Sequence, residues 1–305
     1  MRTLTHITDV GAPAHEGSDS TERIHKQYAR LGVEVPRVVS AGHSPLHVAF
    51  TACTDSAAQA KDNAAAALAL IGLESPAPLP VALNSAPRNS EHTLPDGKED
   101  HIFRVAYEGG ERFLIYGPEV LKWVLTFRGQ VAATVERIVS IGDIITDTSR
   151  GSQFRSCEHL PIAHVLDAHG KLDDYSQREL IDEVDDLTPP EGQLVVLPPD
   201  EYGNGRLLAE RPLFDEILRQ DLLRVAELDS PLVVRPSLTD VVPFSRSRHL
   251  SVWPSSNHFP GEKFGVLNVG TRWEAGHTKN DNPAVLQLVG RFKKEVGRLY
   301  QVIPN

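Results

Sequence analysis

The first 85 residues constrain the fold most, because strand and helix signals alternate there. The segment "TLTHITDVG" alternates β-formers and runs into Asp9-Val10-Gly11, the pattern of a strand ending in a loop. "DSTERIHKQYARLG" follows, with Ser20 or Thr21 placed to cap a helix, Ile24, Tyr28 and Leu31 on one face, and Gly32 at its end. "PRVVSAGHS" predicts a second strand, "DSAAQAKDNAAAALALIGL" a second helix and "PLPVALNSAPR" a third strand. Strand–helix–strand–helix–strand order makes a parallel sheet with helices on its faces. Ligands of such sheets sit outside the carboxyl ends of the strands. Here those ends carry Asp9, His43-Ser44 and Asn84-Ser85.

The pattern changes further along. "HIFRVAYEGGERFLIYGP" predicts a hairpin turning at Glu108-Gly109-Gly110. "EVLKWVLTF" predicts a short helix, "VERIVSIG" a strand and "HLPIAHVLDAHG" a helix. "DDYSQRELIDEVDDLTPPEG" is strongly acidic and ends in Pro-Pro, so it predicts a linker. Beyond it the runs "QLVVLPP", "LLRVAEL", "SPLVVRPS", "HLSVWPSS", "KFGVLNVGT" and "YQVIP" are short and β-rich, with one helix over about 283–296. The expected architecture is an α/β domain with a parallel sheet over 1–190 and a β-barrel domain over 191–305.

Composition narrows the function. A net charge of -10 without a basic stripe disfavours nucleic acid as a partner, since phosphate binding needs a cationic surface. No run of about 18 apolar residues is present, so no membrane partner is expected. The opening segment lacks the apolar core of a secretory signal. With only Cys53 and Cys157, the chain fits reduced thiols and a cytoplasmic location.

Several chemistries lack support in the motifs. Neither phosphate-binding glycine signature occurs, and neither does a Gly-x-Ser-x-Gly elbow. His159, His164 and His169 recur every five residues, which is not a helix-face period. Cys157, Glu158 and His159 lack the further cluster that a tetrahedral metal site needs, so no metal is expected. His43 and His47 are separated by Pro45, which argues against a shared helix face.

One stretch stands out: "LPPDEYGNGRLL" places Asp200, Tyr202, Gly203 and Asn204 within five positions. It is either a hairpin turn closed by an aspartate or the rim of a site for a flat, polar ligand.

Six segments in register resemble one family, the S-adenosylmethionine hydroxide adenosyltransferases with their fluorinase and chlorinase relatives. "ITDVG" resembles that family's Thr-Asp-Phe-Gly strand end, and "GHSPLHV" its His-Ser segment after the second strand. "FLIYGPEVLKWVL" resembles its hairpin and helix, and "QFRSCEHLPIAHVLDAHG" its following loop and helix. "PPDEYGN" is similar to the Asp-x-Phe-Gly-Asn segment that opens its barrel, and "GVLNVGTRWEAGHTKNDNPA" to its last binding segment.

The resemblance implies a trimer with S-adenosylmethionine held between one subunit's α/β domain and a neighbour's barrel. By it, Asp9 bonds the ribose hydroxyls and Asp19 lies near the methionine. Asp200 holds the amino group, Tyr202 supplies an aromatic face and Asn204 reads the adenine edge. Arg272 and Trp273 fall where the family contacts the methionine carboxylate and adenine.

The water-activating residues of the hydroxide-forming branch are largely replaced. Asn84 stands where that branch has an Asp, and Arg88 is the counterpart of its Arg in a loop without the glycines. Phe154, Ser156 and Glu158 instead resemble the halogenase Phe-x-Ser-x-Glu pattern, in which the serine helps to hold a halide.

Two expectations follow. One is an enzyme that lets a small anion or water displace methionine at the ribose C5′, with no cofactor beyond S-adenosylmethionine as substrate and with Ser156 and Arg88 at the reacting centre. The other is a non-catalytic protein that binds an adenosyl ligand, or serves assembly, on the same scaffold.

Overall fold

The computed structural model describes residues 3–8, 16–33, 36–41, 44–54, 78–85, 102–130, 133–142, 155–185, 187–200, 202–241, 249–258, 263–272 and 282–304, with only the backbone at 16–20, 155–156 and 256–258. The second helix expected over about 55–72 and the loop after the third strand lie outside these residues. The chain divides into two compact units, Met1–Asp186 and Leu187–Asn305; the sequence placed the break after Pro190.

The first unit carries a seven-stranded sheet in the order β2-β1-β3-β5-β4-β6-β7. Its strands are β1 (Thr5–Thr8), β2 (Arg37–Ser40), β3 (Val81–Asn84), β4 (Ile102–Tyr107), β5 (Arg112–Tyr116), β6 (Ala133–Ile141) and β7 (Ser176–Leu180). The first three and β5 run parallel, whereas β4, β6 and β7 are antiparallel to their neighbours. The sheet is therefore mixed rather than wholly parallel. The hairpin at Glu108-Gly109-Gly110 turns the chain back on itself and imposes the antiparallel half.

Among the described residues the helices of this unit are α1 (Glu16–Arg30), α2 (Pro45–Thr54), α3 (Pro118–Arg128), α4 (Arg155–Ala168) and the single turn α5 (Leu172–Tyr175). α1 packs on α4 and α2 on α3. Strand alternation sorts the core between these pairs. Leu4, Ile24, Tyr28 and Cys157 form one cluster, and Ala82, Leu114, Leu160 and Ala163 an adjoining one, under α1 and α4. Ile7, Leu83, Phe113 and Ile115 fall on the opposite face, toward α2 and α3. Between those two helices Phe50 meets Phe127 edge-on at 6.2 Å, and Trp123 stacks on Phe127 at 5.6 Å.

Two local features depart from the expectation. Pro45 begins α2, a helix that was not expected over these residues, and its missing N–H costs nothing there. Ser44 caps that end, accepting from the His47 N–H at 3.2 Å and meeting His47 Nδ1 at 2.7 Å. The acidic stretch from Asp173 is not all linker either. It contains β7, paired antiparallel with β6. Cross-strand charge holds the pairing: Arg178 Nη1 lies 2.7 Å from Glu136 Oε1, and Arg137 pairs with Glu179.

The second unit is a closed barrel in the order β10-β11-β12-β13-β9-β8-β14. Its strands are β8 (Gln193–Leu197), β9 (Gly205–Glu210), β10 (Leu222–Val225), β11 (Leu232–Val234), β12 (Ser251–His258), β13 (Phe264–Gly270) and β14 (Leu299–Ile303). Closure removes the sheet edges, and the interior is filled by Leu194, Val196, Leu207, Leu223, Val252, Leu267 and Val302.

Among the described residues two helices accompany the barrel, α6 (Arg211–Ile217) and α7 (Pro283–Lys294), where one was expected. α6 begins at Arg211-Pro212, so a proline again sits where a helix tolerates it. α7 is capped by Asn282, whose side-chain oxygen accepts from the Ala284 N–H at 2.9 Å, and it buries Val285, Leu288, Val289 and Phe292. Among the described residues no helix is long and apolar enough to cross a membrane.

Candidate functional site

Strand order locates the site in the first unit. The chain leaves β1 for β2 on one side and returns to β3 on the other. The connections diverge between β1 and β3, and such a switch point leaves a crevice at the carboxyl ends of the strands. Register brings Thr8 beside Ser40 on one side and Asn84 on the other, with Tyr116 beside Asn84. Four side chains with polar tips thus share one face in a row at the strand ends.

Thr8 and Asn84 bridge the switch point. Asn84 Nδ2 donates to Thr8 Oγ1 at 3.4 Å. Thr8 is fully buried and Asn84 is 3% exposed. Among the described residues, Asn84 Oδ1 is buried without a hydrogen-bond partner. A buried amide oxygen left in that state costs about 1–3 kcal/mol, so the position favours a donor that could approach it. The same edge is tightened by Gly117, at φ 110°, where β5 turns into α3. A Cβ there would sit 2.7 Å from the Ser85 carbonyl oxygen, so the close approach requires glycine.

Below this row lies a buried polar chain. His6 Nδ1 is 3.1 Å from Tyr28 Oη, Tyr28 Oη is 2.5 Å from His164 Nδ1, and His164 Nε2 is 2.8 Å from the Pro80 carbonyl oxygen. One assignment of protons satisfies all three contacts. The carbonyl can only accept, so His164 carries its proton on Nε2 and accepts at Nδ1. Tyr28 therefore donates to His164, and its oxygen accepts from Nδ1–H of His6. His6 Nε2 is left as a bare lone pair, fully buried and without a partner among the described residues. Burial, reinforced by the neighbouring His164, lowers the His6 pKa to about 3, and burial lowers that of His164 to about 4. Both rings are neutral at physiological pH and serve as fixed dipoles rather than proton carriers.

In the second unit the stretch that stood out in the sequence forms a closed loop between β8 and β9. Asp200 Oδ1 accepts from the Asn204 backbone N–H at 2.7 Å, and Oδ2 from Asn204 Nδ2 at 2.9 Å. The Asp200 N–H donates to the Asn204 carbonyl at 3.0 Å, and Gly203, at φ 83°, donates to the Asp200 carbonyl at 3.3 Å. Arg206 clamps the approach, its guanidinium donating to the carbonyls of Pro198 at 2.6 Å and Pro199 at 3.1 Å. Asn204 is buried, while Tyr202 stands 50% exposed at the tip. The Asp200 side chain thus holds the turn, with one lone pair on each oxygen still able to accept.

Asp9, Arg88, Phe154 and Trp273 lie outside the described residues. Asp19 lies within α1 and Ser156 within the first turn of α4, where the backbone alone is described. Asp200, Tyr202 and Asn204 come together in the β8–β9 loop, and Arg272 is exposed just past the end of β13. The sequence pointed to Asn84 but missed Thr8, His6, Tyr28 and His164. A His and a Thr spaced two apart on β1 were the available signal, since both then face the same side. Among the described residues no three His, Cys, Asp or Glu side chains gather as a metal site would require.

The protein is of the class that joins a doubly covered α/β sheet, with a polar switch point, to a closed β-barrel. A similar solved structure is an uncharacterized conserved protein from Thermotoga maritima, 17% identical over 99% of this chain and 100% of that one, with a TM-score of 0.57. A conserved hypothetical protein from Thermus thermophilus is 11% identical over 99% and 100% of the two chains, with a TM-score of 0.48. The Thermotoga likeness supports the fold alone. No family model matches the chain, and no curated protein matches its sequence.

Proposed function

We propose that this protein binds S-adenosylmethionine at the carboxyl ends of β1 and β3 and promotes displacement of methionine from the ribose C5′ by a small anion. The observation that carries the reading is the Thr8–Asn84 bridge, which leaves a buried amide oxygen open at the ends of β1 and β3. By the resemblance Asp9, which follows Thr8 in the sequence, adds a carboxylate, and an amide acceptor with a carboxylate suits the vicinal hydroxyls of a ribose. The sulfonium is already a good leaving group. An incoming anion forms the new bond to C5′, the C5′–S bond breaks, and its electron pair stays on the methionine sulfur. The protein then has to supply alignment and a dry pocket.

Water is the poorer nucleophile here. Its attack requires a proton to leave, and a positioned base contributes about 10²–10⁴-fold. Asn84 is an amide and takes no proton at neutral pH. A halide needs only a few donors, such as the Ser156 hydroxyl and backbone amides, with Arg88 as the cation that the resemblance implies. Asp19, Phe154, Asp200, Tyr202, Asn204, Arg272 and Trp273 complete the binding surface by resemblance, which also implies a homotrimer. The buried thiols of Cys53 and Cys157 suit a reducing compartment such as the cytoplasm.

The Asn84 amide also favours a second reading, a binding protein without turnover. The two separate in one experiment. Incubation with S-adenosylmethionine in buffer containing chloride, fluoride or neither, followed by chromatography, is expected to give a halogenated adenosine with halide and little adenosine without it. Calorimetric binding without any product selects the non-catalytic reading. Absence of binding overturns both.

A further inference from the structure

We propose that the free edge of β7 is a strand-addition site for an extended, basic and apolar segment of a protein partner. β7 is the last strand of its sheet and, among the described residues, pairs only with β6. Leu180 stands opposite Glu136, and the adjoining Ile181 N–H donates to the Val135 carbonyl at 2.9 Å. In an antiparallel ladder that assignment turns the N–H and C=O of Leu180, and by alternation those of Arg178, away from β6. The chain beyond is held on its inner side, because the Gln130 amide donates to the Val184 carbonyl at 2.8 Å and accepts from the Val184 N–H at 2.9 Å. An extended backbone therefore offers its outer edge to an incoming strand.

Side chains at this edge define the visitor. Leu180 is 65% exposed and Tyr175 is 60% exposed, more than any other large apolar side chain among the described residues. An edge built only to repel strands would carry Lys or Pro in place of such a leucine. Asp173, Asp174, Glu179, Asp182, Glu183 and Asp185 are exposed along the same stretch. Asp173, Asp174 and Glu179 engage Arg178, Lys171 and Arg137. Asp182, Glu183 and Asp185 form no ion pair among the described residues. A second copy of this chain would set like charges face to face, so the surface fits a cationic partner with apolar residues at alternate positions.

The probe is a fluorescent peptide, acetyl-Lys-Val-Lys-Val-Arg-Val-Lys-amide, with a version carrying Glu at every cationic position, titrated against the full chain by anisotropy. The basic peptide is expected to bind, and to weaken about tenfold or more between about 50 and 300 mM salt. The acidic peptide is expected not to bind. Leu180→Pro removes only the outward N–H and the leucine side chain, a change that an edge strand tolerates. It is expected to weaken binding about tenfold or more with an unchanged circular dichroism spectrum.

Should that variant misfold, Asp182→Asn/Glu183→Gln/Asp185→Asn keeps the backbone and is expected to flatten the salt dependence. Equal binding of both peptides, or affinity unchanged in a folded Leu180→Pro and in the triple variant, overturns the proposal. So does a concentration-dependent increase in mass that Leu180→Pro abolishes, which would make a second copy the occupant.

Discussion

The phenol oxygen of Tyr28 on α1 lies 2.5 Å from Nδ1 of His164 on α4, and through it the β1 residue His6 is tied to a helix far along the chain. Every polar side-chain atom of this trio except His6 Nε2 is matched to a partner, with one consistent set of protons. The match ties α1, α4 and the sheet together.

Acid should weaken the first unit. Burial holds His6 down at about 3 and His164 at about 4, whereas an unfolded histidine titrates near 6.5. As pH falls, the unfolded chain binds these protons first. The stability is therefore fully present above about 6.5 and is lost as pH falls from there toward the two folded values. At pH 5 each ring contributes about 2 kcal/mol less than at neutrality. Denaturant unfolding at pH 7 and pH 5 measures the difference, and Tyr28→Phe should cost about 1–3 kcal/mol at pH 7 by stripping both rings of a partner.

Asp200→Ala should act first on the barrel. It leaves the backbone N–H and Nδ2 of the buried Asn204 without their acceptor, a loss of about 1–3 kcal/mol. Thermal melting reads that loss, and calorimetry with S-adenosylmethionine reads the binding role. An affinity that survives in the folded variant would restrict Asp200 to the turn.

Gly205→Ala should be costly although the residue lies in a regular strand. Its Cβ would fall 2.7 Å from two ring carbons of Phe292. That ring is fully buried and meets Tyr300 edge-on at 5.8 Å, so it has little room to retreat. Overpacking of this kind costs about 1–3 kcal/mol. Equilibrium unfolding is the measurement.

Turnover should respond to halide and to Ser156. Product formation is expected to rise with chloride or fluoride and to fall in Ser156→Ala. Adenosine release in halide-free buffer that persists in Ser156→Ala and vanishes in Glu158→Gln would make Glu158 a base and water the nucleophile. Conversely, Asn84→Asp should raise adenosine release, because it returns a proton acceptor to the end of β3.

The two-part architecture was legible because it rests on local periodicity. Strand and helix signals alternate through β1, α1, β2 and β3, and the six short β segments after 190 become a barrel once β9 joins them and the sheet closes. The hairpin at Glu108-Gly109-Gly110 was equally local. The charge of the acidic stretch misled: a surface run of carboxylates resembles a linker until Arg178 and Arg137 are brought across from it. The helix α2 was not legible either, because a proline breaks a helix or begins one according to what precedes it, and Ser44 decides.

The sequence by itself determined most of the strands and helices, though not α2, β7, β9 or α6, since backbone preference and apolar spacing act over a few positions. It also flagged Asn84 and the Asp200–Asn204 stretch by their residue types. Only the tertiary structure decided that β3 lies beside β1, that Thr8 and Asn84 meet there, and that His6, Tyr28 and His164 form one chain. Those contacts span 76, 22 and 136 positions. Strand order and helix packing set such distances, and they act between segments whose own sequences carry no trace of each other.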